Sequence, residues 1–346
     1  MEQCDSCQQR RICYNSCRNR HCPKCQASAR HQWVEARETE LLPTRYFHVV
    51  FTVPSSVGKL ALQNKRAVYS ILFRAASETL LEIAADPKHL GARIGALAVL
   101  HTWGQRLHHH PHLHCVVSGG GIAPDESRWV RSRKKFFLPV RVLSRLFRRK
   151  FLAYLLKAFE SGRLSFHGRL SNLRDASAFW ELLAEVRRNE WVVYAKRPFA
   201  GPQRVLRYLA RYTHRVAISN QRLLSLDDGQ VRFAFTDYAN GNDHCVACVS
   251  AVEFLRRFLL HVLPKRFVRI RYYGFLANRA RRQNLALARK LLGRQQARVF
   301  RDGRQTPARD RVVCPFCRSG QMSVVERVTP IRSTGAFGLA AAFDTS

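Results

Sequence analysis

The tripeptide His112-Leu113-His114 constrains this chain more tightly than any other feature. On a strand, side chains alternate faces, so both imidazoles share one face, about 7 Å apart, while Leu113 turns to the other. The segment therefore reads as a strand with a core on one side and two potential ligands for one divalent ion on the other. Pro111 is tolerated at a strand start or on an edge, and Ser118-Gly119-Gly120-Gly121 closes the run. His108, His109 and His110 are further candidates. A metal needs a third donor; Gln105, just upstream, is favoured, with His101 and His214 as rivals. The plain alternative is a basic strand whose histidines are merely solvated or hydrogen-bonded, and a His-x-His pair alone does not exclude it.

The surrounding pattern supplies a fold for such a strand. Residues 46–53 read as a buried strand that stops at Pro54, and residues 59–85 carry apolar side chains at helical spacing, enough for one helix or two. Residues 94–102 read as a strand that pairs with 112–117 as an antiparallel hairpin. A helix over 140–160 and a strand over 191–196 follow. Next come a helix from about 202 to 213 with Pro202 in its first turn, two strands near 215–219 and 230–236 joined by Asp227-Asp228-Gly229, and a helix over 251–262. Strands mixed with helices, without strict alternation, predict an α+β fold with an antiparallel sheet flanked by helices.

A second group suits phosphodiester chemistry. If 202–213 is helical, Tyr208 and Tyr212 lie four apart on one face, as do Arg211 and Arg215. A tyrosine hydroxyl can attack phosphorus while a metal polarises a non-bridging oxygen and Arg neutralises the developing charge. A core-facing aromatic stripe is the ordinary reading of a tyrosine pair, but flanking arginines do not suit a fully buried face.

The cysteines form a third group. Cys4-x-x-Cys7 and Cys22-x-x-Cys25 stand fourteen residues apart, the two-knuckle spacing of a zinc ribbon, with Cys17, His21 and Cys13 as extra candidates. Cys314-x-x-Cys317 is half a ribbon with no obvious second half. Cys245 and Cys248 read as incidental, and Cys115 as core. The organisation expected is a zinc-ribbon-like module over 1–40, a catalytic domain over 41–275, and a basic tail over 276–346 with a partial ribbon.

Charge names the partner. Lys plus Arg number 59 against 24 Asp plus Glu, a formal net charge of +35. Such a chain attracts polyanions, and nucleic acid fits better than a membrane surface because the charge is spread along the whole chain. No apolar run reaches membrane-span length, and the N-terminus is no signal peptide. The expected location is the bacterial cytoplasm, on the nucleoid. There, eleven cysteines serve better as metal ligands than as disulfides.

Taken together, these motifs resemble a known family. The run Thr102-Trp103-Gly104-Gln105 with His110-Pro111-His112-Leu113-His114-Cys115-Val116-Val117, and Tyr208-Leu209-Ala210-Arg211-Tyr212-Thr213-His214-Arg215, are similar to motifs of the two-tyrosine rolling-circle insertion-sequence transposases (the IS ninety-one family of the HUH endonuclease superfamily). The stretch from Tyr14 to Cys25 resembles the zinc-binding module of that family. The resemblance implies an HUH-type sheet in which His112 and His114 bind magnesium or manganese and Tyr208 and Tyr212 form 5′-phosphotyrosine links. It also implies single-stranded DNA as substrate, a structural zinc, and no nucleotide cofactor. The alternatives are a replication initiator or relaxase, and an inactive, zinc-dependent DNA-binding derivative of a transposase.

Overall fold

In a computed structural model, which describes residues 1–12, 19, 27–133, 138–196, 210, 217–237, 241–296, 314, 316–317 and 319–326, the alternation seen in the sequence becomes a sheet. The strands in chain order are β1 (Glu2–Cys4), β2 (Arg10–Arg11), β3 (Tyr46–Thr52), β4 (Arg93–Trp103), β5 (His109–Ile122), β6 (Trp129–Arg131), β7 (Val193–Lys196), β8 (Leu223–Asp227), β9 (Gln230–Asp237), β10 (Asp243–Ser250), β11 (Ile270–Gly274) and β12 (Met322–Val324). The helices are α1 (Ala27–Glu38), α2 (Ser55–Gln63), α3 (Lys65–Ala85), α4 (Val140–Glu160), α5 (Ala176–Arg188), α6 (Ala251–Leu259) and α7 (Arg281–Gln296). Two units emerge, one of Met1–Ser16 with Phe300–Ser346 and one of Cys17–Val299.

The larger unit is organised by one sheet of order β11-β4-β5-β3-β7, with β6 added to β5, all pairs antiparallel. Phe47, Val49 and Phe51 of β3, Ala96, Ala98 and Leu100 of β4, and Leu113, Cys115 and Val117 of β5 share one face. Helices α2 to α5 cover that face with Leu60, Leu72, Phe73, Phe147, Phe151 and Phe179. Burying each such side chain contributes about 1.5–3 kcal/mol, so this layer holds the sheet in place. The helices form because their apolar residues recur at three and four: α3 buries Val68, Leu72, Ala75, Ala76, Thr79 and Ile83, and ends ahead of Pro87. Asp175 caps α5 by accepting from the Ser177 and Ala178 amides.

The opposite face carries Tyr46, Leu97, Val99 and Val116, with Trp33 of α1 and Tyr272 of β11 against them. Helix α7 closes one end, burying Leu285, Leu291 and Leu292 with Trp129 and Phe275. A second sheet, β10-β9-β8, packs Phe233 against Phe254 and Phe258 of α6, with Leu107 of the β4–β5 turn in the same cluster.

The α+β reading and the β4–β5 hairpin hold, and three details differ. First, β5 starts before Pro111. The β4 ladder shifts between His101 and Trp103, so His110 and Pro111 together oppose Thr102. A bulge is where an interior proline, lacking an N–H, fits. Second, β5 continues through Gly119-Gly120-Gly121. The carbonyls of Arg45, Val130 and Arg93 approach so closely there that a Cβ would strike one at each position. Third, the strand expected at 215–219 is absent over its described part. Ala217 has a φ of 58°, which no strand residue adopts, and the strand leading into the Asp228-Gly229 turn is β8 instead.

In the smaller unit β1 pairs with β12 and with β2, so the first and last described segments form one sheet. Among the described residues, no helix is long and apolar enough to cross a membrane.

Candidate functional site

His112 and His114 lie on the sheet face away from the helical layer, as strand parity requires. The adjacent strand contributes a third imidazole: His101 is the direct cross-strand partner of His112 and a diagonal neighbour of His114. The three rings lie 4.1 Å (His101–His114), 4.9 Å (His112–His114) and 5.3 Å (His101–His112) apart, and one donor nitrogen from each falls within 4.8 Å of the others. Tetrahedral nitrogen ligands at about 2.1 Å from an ion are ~3.4 Å apart, so side-chain movements of about an ångström or a little more would close the set on one metal. His101 was a rival of Gln105 for this place. Gln105 itself sits in the β4–β5 turn, where its carbonyl accepts from Arg222.

The ring orientations are held from behind. His112 Nδ1–H donates to the His110 carbonyl at 2.7 Å, which leaves the lone pair on Nε2. His114 Nδ1 shares a 2.7 Å hydrogen bond with Nε2 of His48 on β3, and the two rings stack at 4.9 Å. Such outer hydrogen bonds fix the tautomer and aim of a metal-binding histidine. Burial pushes the imidazoles towards their neutral, ligating form. His112 is lowered to about 4 by desolvation, outweighing the raising effect of its bond to His110. His101 is lowered well below the ordinary value by burial, then by His114, His112 and Arg269. His114 is lowered by burial, His112 and His48.

Not every histidine joins this group. His109 turns to Tyr69, whose hydroxyl lies 2.8 Å from its Nε2, and the His109 ring stacks on His261. His261 is satisfied by Thr102 and the Leu107 carbonyl. These are structural. Sequence reading missed His48. Its only sequence signal was alternation with Tyr46 and Val50, and that becomes meaningful once β3 is known to pair with β5. On the other side of β3, Lys196 pairs with His48 in the ladder. Tyr208, Arg211, Tyr212, His214 and Arg215 lie outside the described residues, as do Cys13, Cys17, His21, Cys22 and Cys25.

The other cluster is Cys4, Cys7, Cys314 and Cys317. Cys4 Sγ lies 3.7 Å from Cys317 Sγ, and Cys7 Sγ 3.6 Å from Cys314 Sγ. Those spacings are too long for a disulfide and match the ~3.8 Å edge of a tetrahedron with 2.3 Å zinc–sulfur bonds. Backbone amides point at the sulfurs: Ser6 and Cys7 at Cys4, Phe316 at Cys314, Gly320 at Cys317, all at 3.3–3.4 Å. Each amide offsets thiolate charge. The Ser319 hydroxyl and the Gly320 amide pull Cys317 down to about 5. A Cβ at Gly320 would collide with Cys4 Sγ, so the close approach of the two segments needs glycine. The donor set suits a structural zinc.

Comparison with known proteins identifies the family. A family model described as "Putative transposase" matches residues 95–284, and one described as "Transposase zinc-binding domain" matches residues 1–53. The chain is 57% identical over 335 residues to "Putative transposase y4qJ" of Sinorhizobium fredii, covering 94% of this chain and 84% of that one. It is 30% identical over 275 residues to "Transposase for insertion sequence element IS801" of Pseudomonas savastanoi pv. phaseolicola, covering 79% and 64%. No solved structure matches. A transposase of this kind cuts and joins DNA, which accounts for the charge, and with a zinc module and a histidine-bearing sheet the chain belongs to the IS91 family of insertion-sequence transposases.

Proposed function

We propose that the chain cuts and transfers single-stranded DNA in a metal-dependent reaction with tyrosine as the nucleophile, as in rolling-circle transposition. The observation that carries this reading is the convergence of His101, His112 and His114 on one face of a rigid sheet, each held neutral. Three imidazoles without a carboxylate suit manganese better than magnesium, which prefers oxygen ligands. A divalent ion there supplies Lewis-acid polarisation of a non-bridging phosphate oxygen. With His114 as donor to His48, and His112 as donor to His110, both rings present a lone pair on Nε2.

Tyr208 and Tyr212 are the nucleophiles in this reading. The hydroxyl of one loses its proton and its Oη bonds to phosphorus; the bond from phosphorus to the 3′ oxygen breaks, and the 3′ oxygen leaves as a hydroxyl. The phosphotyrosine link conserves the phosphodiester, so a 3′-hydroxyl can attack it later and rejoin the strands without ATP. A second tyrosine allows a second cut before the first link is resolved. Arg211 and Arg215 steady the phosphate.

Incubation with a single-stranded fragment carrying an element end tests this. The expected product is a covalent adduct on the 5′ side of the cut, mapping to Tyr208 or Tyr212, with the double Tyr→Phe variant forming none. An adduct on Tyr194, or a double variant that still releases a free 5′-phosphate, overturns the assignment.

A further inference from the structure

We infer that a single zinc ion clasps the two ends of this chain together, held by Cys4 and Cys7 from the N-terminus and Cys314 and Cys317 from the C-terminus. The inference deepens the zinc-binding assignment by giving it a different ligand set. Neither family match reaches residue 314, and by sequence spacing alone Cys4 and Cys7 belong with Cys22 and Cys25.

Four observations converge on the C-terminal pair. The cross-segment sulfur distances of 3.7 and 3.6 Å have the size of tetrahedral edges. The amides of Ser6, Cys7, Phe316 and Gly320 turn to the sulfurs as zinc knuckles require. The segments are also joined by backbone: Glu2, Gln3 and Cys4 pair with Val324, Ser323 and Met322, and the Asp5 amide donates to Gln321 at 3.0 Å. Finally, Asp5 Oδ1 accepts from the Gln321 amide at 2.7 Å, and Gly320 leaves room for Cys4.

Little else would hold this unit. Cys4 and Cys314 are its only buried apolar side chains among the described residues. Strands of two and three residues are not independently stable, so the ion supplies the order. It follows that the N-terminal module is completed only after the C-terminal residues have been made, and that a chain lacking its tail lacks this zinc. Cys13, Cys17, His21, Cys22 and Cys25 are then a separate pool of ligands.

The test uses the full chain. Zinc per chain is measured on the unaltered protein and on C314S/C317S; the expected result is a loss of one equivalent. In parallel, the zinc-loaded unaltered protein is oxidised briefly with diamide under non-denaturing conditions, so that the sulfurs couple as the ion is released, and mapped by mass spectrometry. Disulfides joining Cys4 or Cys7 to Cys314 or Cys317 are expected. An unchanged zinc content in C314S/C317S, or disulfides that join Cys4 and Cys7 only to Cys22 and Cys25, overturns the proposal. DNA cleavage is not needed as a readout, so failure here leaves the histidine site untouched.

Discussion

His48, His101, His112 and His114 stand on strands of seven, eleven and fourteen residues, and the far face of those strands is packed by four helices. The four cysteines stand on or beside strands of three, two and three residues with almost no apolar core. In the first region the fold itself brings the donors together, so a metal bound there would find a formed site. In the second the metal itself would bring them together. On the proposed reading, the difference separates an ion used as a reagent, which can come and go, from an ion used as a fastener, whose binding is folding.

The largest effect should come from removing metal altogether. Structural zinc in small modules contributes on the order of 10 kcal/mol, so a strong chelator should expose the amides of residues 1–12 and 319–326 to hydrogen exchange. The amides of β3, β4 and β5 should stay protected. If both regions lose protection together, the two sites are not built on different principles.

Next in size, His112→Ala should cut strand cleavage by about a thousandfold, corresponding to roughly 4 kcal/mol of lost transition-state stabilisation, while DNA binding and melting temperature change little. Cleavage near the unaltered rate would place the reactive metal elsewhere.

A smaller effect is expected from His48→Phe, which keeps the stacking area but removes the hydrogen bond to His114. Manganese affinity should fall about 10–100-fold, the usual cost of losing such a second ring of support, and excess manganese should restore cleavage. An unchanged metal titration would mean that β3 only packs beside the site.

Acid should act gradually, over several pH units. His112 is held at about 4, below the ~6.5 of an unfolded chain. The neutral ring therefore contributes stability that is complete above about pH 6.5 and is lost as the pH falls through 4. The metal-free sheet unit should melt at a constant temperature from pH 8 to 7 and progressively lower from pH 6 to 4. A flat profile to pH 4 would show that these rings are solvated.

Much of the histidine site was legible because it rests on local periodicity. A period of two places His112 and His114 on one face whatever strand lies next to them, and it puts Leu113 and Cys115 in the core. The same logic reached β3, α3 and α4 and the β4–β5 hairpin. It failed at 215–219, where an apolar run holds a left-handed Ala217, because burial alone does not reveal backbone conformation. It favoured Gln105 and kept His101 as a rival, because the bulge that sets His101 opposite His112 has no sequence mark but Pro111.

The sequence by itself determined the types of donor, the pairs in which they come and the charge that selects DNA. Each follows from residue chemistry or from spacings of two to four along one element. Only the tertiary structure decided which pairs meet. His48 is 66 residues from His114, and Cys4 is 313 residues from Cys317, whereas Cys22 is far nearer in the chain. Closing a loop costs entropy that grows only with the logarithm of its length, so nearness in sequence is a weak guide to partnership. Strand register and the backbone pairing of β1 with β12 bring these sulfurs and imidazoles together across those separations.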